Sequence, residues 1–139
     1  MFVQIVIVTF ILLELSNVLA LYFAPGSRYA NAVGVFTAWD KSEQYPEIHE
    51  FVKYLVNWIA GTKLIFLSLL AMIVLYADAE LQRLSLWALA LTTASFYWRL
   101  FPLIRNMGRN GQIEPRNYAT MLGVMILVFI AAFVSAAIF

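Results

Sequence analysis

Residues 2–23 read FVQIVIVTFILLELSNVLALYF, an apolar run of membrane-crossing length interrupted by one carboxylate, Glu14. A helix needs roughly 20 mostly apolar residues to cross ~30 Å of hydrocarbon, so the stretch reads as a transmembrane helix. An ionisable group at that depth is costly in lipid and marks a place where function is to be sought. Val18-Leu19-Ala20 resembles a signal-peptide cleavage site, but no Lys or Arg precedes the apolar run and Glu14 breaks it. The segment is therefore read as a retained helix.

The rest of the chain has the same character. It is 63% hydrophobic and 12% charged, with a mean hydropathy of +0.83. A globule of 139 residues has too little interior to hide that much apolar surface, and lipid is the natural solvent for the excess. The expectation is one integral membrane domain over residues 1–139, all-α in class. Nine basic against eight acidic residues leave a formal charge of +1, which argues against a nucleic-acid partner. The absence of cysteine excludes disulfides, thiolate metal sites and a Cys nucleophile, and the single histidine, His49, excludes bis-imidazole haem ligation within one chain. No cofactor and no metal are expected.

Working outward from the first helix, three further segments reach spanning length, at about 53–77, 82–104 and 118–139. The fold expected is a four-helix transmembrane bundle. Four crossings put both termini on one side and the linkers 24–50 and 105–117 on the other. Arg28, Lys41, Lys53, Arg105, Arg109 and Arg116 collect on the linker side, against Arg83 alone opposite. The positive-inside rule then makes the linkers cytoplasmic and the termini external.

Asp78-Ala79-Glu80 is a tight turn with Asp78 as N-cap, so spans two and three should form an antiparallel hairpin. Pro46 suits a helix N1 position, and Glu47 and Glu50 complement the positive helix end, so helix two starts before it enters lipid. In the first linker, Tyr29, Ala32, Val33 and Phe36 follow a Pro25-Gly26 turn at helical spacing and lead to Trp39, which predicts a short interfacial amphipathic helix. The second linker, with Gly108 and Asn110-Gly111, reads as a plain turn before Pro115 restarts a helix.

Polar residues inside the spans define the candidate binding site. Glu14 lies about nine residues up its helix, roughly 13 Å from the linker side. Asn17 shares its face, and Asn57 sits at the height of Asn17 on helix two. Lys63 and Arg99, each about five residues inside, either snorkel outward or turn in to meet Glu14. On helix three, Ser85, Ala88, Thr92, Ser95 and Arg99 recur at spacings of three and four, forming one stripe of small and hydroxylated groups. Helix four, with Gly123, Ala132 and Ala136 as packing faces, is expected to be the lipid-facing or subunit-packing helix. Asp40, Glu43, Glu47 and Glu50 read as a solvated face with His49 beside it at the surface, and Tyr22, Trp58 and Tyr118 as an interfacial belt.

No phosphate-cradling glycine loop, zinc-binding helix, nucleophile elbow or calcium loop is present. The leading expectation is ion, proton or small-solute transport by a homo-oligomer or complex subunit. Glu14, Asn17, Asn57, Lys63, Thr92, Ser95 and Arg99 would line its polar cavity. The alternatives are a membrane-embedded enzyme or lipid-binding protein, with Glu14 as general acid for an apolar substrate, and an accessory subunit in which the charges only specify helix pairing.

Overall fold

A computed structural model describes all 139 residues. Its regular structure is helical, apart from one isolated bridge between Phe36 and Ile113. The helices are α1 (Phe2–Phe23), α2 (Thr37–Ser42), α3 (Pro46–Tyr76), α4 (Ala79–Ala94), α5 (Phe96–Arg109) and α6 (Tyr118–Ile138), with a single 3₁₀ turn at Val33–Val35. Three of them, α1, α3 and α6, are long and apolar enough to cross a membrane. Only 26 of the 139 residues are buried, while Leu12, Phe23, Leu69, Leu75 and Leu91 all stand at least 60% exposed. In water that much bare apolar surface would drive association, so the outside of the protein is built for lipid.

The expected third span, 82–104, is broken. At the junction the Ser95 amide and hydroxyl both donate to the Thr92 carbonyl, and the Trp98 amide donates to the Ser95 carbonyl, so three-residue bonds replace the four-residue ladder. Side-chain hydroxyls loosen the preceding turns: Ser85 donates back to the Leu81 carbonyl and Thr92 to the Ala88 carbonyl. Pro102, inside α5, brings no amide to bond the carbonyl four residues before it. The result is two helices, α4 and α5, where the sequence suggested one.

The interfacial helix expected over 29–39 is also absent. Ala30 and Asn31 take left-handed backbone conformations, φ 52 and 57, which no helix continues through. The linker instead folds back on itself, with the Val33 amide on the Pro25 carbonyl and the Gly34 amide on the Ser27 carbonyl. A Cβ on Gly34 would fall 1.9 Å from the Gly26 carbonyl oxygen, so glycine is required there for the backbones to meet. Helix begins only at α2, which packs on the start of α3 through Trp39 and His49, ring centroids 4.9 Å apart. His49, expected at the surface, is half-buried and hydrogen-bonded to Ser42 at 2.7 Å.

The expected caps are present. Pro46 opens α3, and the Asp78 carboxylate accepts from the Leu81 amide at 2.8 Å. Buried Gln82 donates its side-chain amide to carbonyls at the end of α3, the nearest being that of Ala77 at 3.1 Å, which satisfies groups a helix end leaves open. Beyond this turn, however, α3 and α4 part company. α3 packs along α1, α4 packs along α6, and α1 joins the two pairs. α3 is thus the least buried of the three apolar helices and α6 the most. Ala136 of α6 is fully buried and Gly123 lies under the Phe101 ring.

The two linkers meet at one end of the array. The Thr37 amide donates to the Gln112 carbonyl, the Glu114 amide donates to the Val35 carbonyl, and Arg28 pairs with Glu114 at 3.1 Å. At the opposite end, Met1, Phe139 and the turn residues Ala77 and Ala79 line a shared depression, so both termini lie together there. Gly34→Ala is expected to lower stability by about 1–3 kcal/mol through overpacking, read as a drop in melting temperature in detergent. Gly108→Ala, whose Cβ would meet only the Ala119 methyl at 3.9 Å, is expected to leave it unchanged or raise it.

Candidate functional site

Lys63 Nζ lies 2.6 Å from Glu14 Oε2 and also donates to Asn17 Oδ1 at 2.6 Å. One ammonium thus bridges a carboxylate and an amide on consecutive turns of α1. Its position follows from the helix pattern. On α1 the buried residues Ile7, Phe10, Asn17 and Leu21 leave a gap that Glu14 fills at spacings of three and four. On α3, Val56, Ala60, Leu67 and Leu70 leave a matching gap filled by Lys63.

The helices run antiparallel, since Ile7 and Phe10 share a core cluster with Leu70 while Val18 and Leu21 share one with Val56 and Ala60. Counting outward from the ion pair puts Asn17 at the level of Ala60, Leu21 at Val56, Phe10 at Leu67 and Ile7 at Leu70. Both charges therefore sit at the centre of a seam whose other positions are apolar except Asn17. Their side chains keep 30% (Lys63) and 20% (Glu14) exposure, so the site is enclosed without being sealed.

Asn17 extends the cluster toward the linkers. Its Nδ2 donates to the Ala30 carbonyl at 2.6 Å and to the Asn31 carbonyl at 3.0 Å, holding the left-handed pair in place. The Asn31 side-chain oxygen in turn accepts from the Tyr118 hydroxyl of α6. A polar ladder thus runs Glu14, Lys63, Asn17, the 30–31 turn, Tyr118. On the other side of the ion pair there is no such ladder. Phe10 stacks edge-on against Phe66, Phe129 and Phe133, with centroids 5.0–6.2 Å apart, and these rings close the interior toward the termini.

Of the seven residues expected at the site, the structure brings together Glu14, Asn17 and Lys63. The other four lie elsewhere. Asn57 is exposed on α3, away from the seam. Thr92 and Ser95 are exposed, with their hydroxyls spent on their own helix backbone. Arg99 lies beyond the α4–α5 break, where the helical phase is lost; it is exposed, with its guanidinium 5.2 Å from the Trp98 ring centroid. Sequence reasoning missed Asn31 and Tyr118. Asn31 carried a faint signal, as asparagine tolerates the left-handed region better than most residues; Tyr118, read as a belt residue, turns inward beside Phe36 instead.

No cluster of three or more His, Cys, Asp or Glu side chains is placed to hold a metal ion. No protein family, curated protein or solved structure matches the chain, and the chemistry of the site is read from its geometry.

That chemistry is one of balanced charge. The pair is neutral as a unit, so it tolerates burial, whereas a lone partner would not. Lys63→Met is expected to destabilise the protein by about 3 kcal/mol through the unpaired carboxylate it leaves, and the double variant Glu14→Leu, Lys63→Met to recover most of that loss. Reversible unfolding of the three proteins in mixed micelles checks the pattern.

Proposed function

We propose that the chain is a multi-pass membrane protein that moves a proton or small ion, with Glu14–Lys63–Asn17 as the coupling site. The observation that carries this reading is the asymmetry about the ion pair, a polar ladder on the linker side and aromatic packing on the other. Such an arrangement favours access from one face and occlusion from the other. A carboxylate that takes a proton or an incoming cation releases Lys63, whose ammonium keeps its charge and the Asn17 oxygen as acceptor, on a side chain that is 30% exposed.

In this reading α4 is a fourth crossing. Its 16 residues extend roughly 24 Å at 1.5 Å each, slightly short of the hydrocarbon core, and α5 continues along the bilayer surface on the linker side. That side is cytoplasmic by the distribution of arginines, and both termini are external. The α1–α3 seam leaves no wide pore inside one protomer, so a continuous path forms between copies in a homo-oligomer or against another membrane subunit.

Flux measured in proteoliposomes tests this reading. Wild-type protein is expected to dissipate an imposed proton or cation gradient, and Glu14→Gln to reduce the rate at least tenfold. Wild-type liposomes as tight as empty ones would overturn it.

One observation favours a second reading, an accessory subunit in which the pair only sets helix register: both charges occupy core positions of the α1–α3 seam. The reversed pair Glu14→Lys, Lys63→Glu separates the two. A register role predicts a folded, fully functional assembly, and a coupling role predicts a folded protein with flux lost.

A further inference from the structure

α5 is unlike the other helices in where its charges fall. Arg99, Arg105 and Arg109, with Asn106, lie within an arc of roughly 120° when residues are spaced 100° apart. The opposite face is committed to α6: the Tyr97 hydroxyl donates to the Gly123 carbonyl, the Phe101 ring lies against Gly123, and Ile104 packs with Leu122 and Ile126. None of the three arginines has a carboxylate partner. The only ion pairs in the chain are Arg28–Glu114 and Lys63–Glu14, and beyond Glu80 the only acidic side chain is the Glu114 that Arg28 occupies.

Leu103, 57% exposed, and Phe96, 47% exposed, border this basic arc, and Trp98, 76% exposed, stands within it against the Arg99 guanidinium. A helix with one cationic face, one apolar face and exposed aromatics beside its cations belongs in the headgroup layer. A groove of about 410 Å³ also opens between α5 and α6. Arg105 and Thr120 line its linker end, while Phe101, Gly123, Val124 and Leu127 line its apolar length.

We infer that α5 and the first turns of α6 form a binding surface for an anionic phospholipid, with its phosphate on Arg105 and Arg109 and an acyl chain along Val124 and Leu127. Charge complementarity selects the occupant. Four arginines, Arg116 included, lie on α5 and the turn before α6 with no carboxylate in salt-bridge reach, the unpaired acids of this end, Asp40, Glu43, Glu47 and Glu50, belonging to α2 and the start of α3. A zwitterionic headgroup on α5 would therefore leave cationic charge unmatched. Juxtamembrane arginines each contribute about fivefold to association with an anionic leaflet, the equivalent of ~1 kcal/mol, and the groove adds selectivity that a flat basic patch lacks. The inference stands on membrane insertion alone and is independent of ion movement through the Glu14 site.

Spin-labelled phosphatidylglycerol and phosphatidylcholine, each in phosphatidylcholine vesicles holding the full chain, provide the test. The wild type is expected to immobilise the phosphatidylglycerol label with several-fold preference, diminished by added salt. Arg105→Gln with Arg109→Gln should bring the ratio close to one. Val124→Trp, which fills the groove and keeps every charge, should also reduce it, and Arg83→Gln at the opposite end should leave it intact. Retained helicity and monodisperse elution establish that each variant is folded. Equal immobilisation of the two labels by the wild type would overturn the inference. So would an unchanged ratio in the double arginine variant, an equal loss in Arg83→Gln, or displacement of the label by free glycerol phosphate at matched ionic strength.

Discussion

The arrangement of α1 against α3 depends on one charge pair inside an apolar seam. Contacts such as Leu21 with its neighbours on α3, or Phe10 with Phe66, contribute dispersion and close packing, but between lipid-soluble helices these are weak in direction. The bond from Lys63 to both Glu14 and Asn17 is directional. It names one rotation of each helix and one height along the axis. Because either charge left alone in that layer is costly, the two helices are complementary as a pair.

Asn17 carries this order beyond the seam. Its side chain uses both ends, the oxygen accepting from Lys63 and the nitrogen donating to two carbonyls of the first linker. The linker is therefore seated against the bundle, and the residues on either side of that seat are clasped to the second linker by Arg28–Glu114 and the bonds around Ile113. Tyr118 closes the circuit onto α6. A buried polar side chain, a left-handed dipeptide and a turn before the last helix thus form one connected unit that reaches the ion pair through Asn17.

Much of this was legible in the residues. Apolar length located α1, α3 and α6, Asp78 and Pro46 announced helix starts, and the carboxylate within the first apolar run drew attention to the level at which Lys63 meets Glu14 and Asn17. The failures share a cause, which is backbone behaviour that periodicity does not report. Tyr29 to Trp39 has helical spacing, yet Asn17 reaches in from another helix to fix carbonyls in a conformation no helix contains. Ser85, Thr92 and Ser95 trace a stripe on a wheel, yet their hydroxyls turn back on the main chain and the helix breaks where they accumulate. Arg99 was assigned to the site by extending the phase of α4 through that break. The register of Lys63 was recoverable, since Glu14 and Lys63 each complete a three-and-four series of buried positions, but the pattern became decisive only once antiparallel pairing of α1 and α3 was known.

The outlying position of α3 has a mechanical consequence. Its flank within the apolar layer is fastened along α1, while contact with α4 is sparse beyond the shared turn. Apolar ridges alone would let such a helix slip along its neighbour by a full turn, roughly 5.4 Å, with little change in the character of the contact. The ammonium at the centre of the seam acts as a detent: it makes one axial setting distinct from the next along a helix otherwise anchored only at its two ends, against α2 and through the turn to α4.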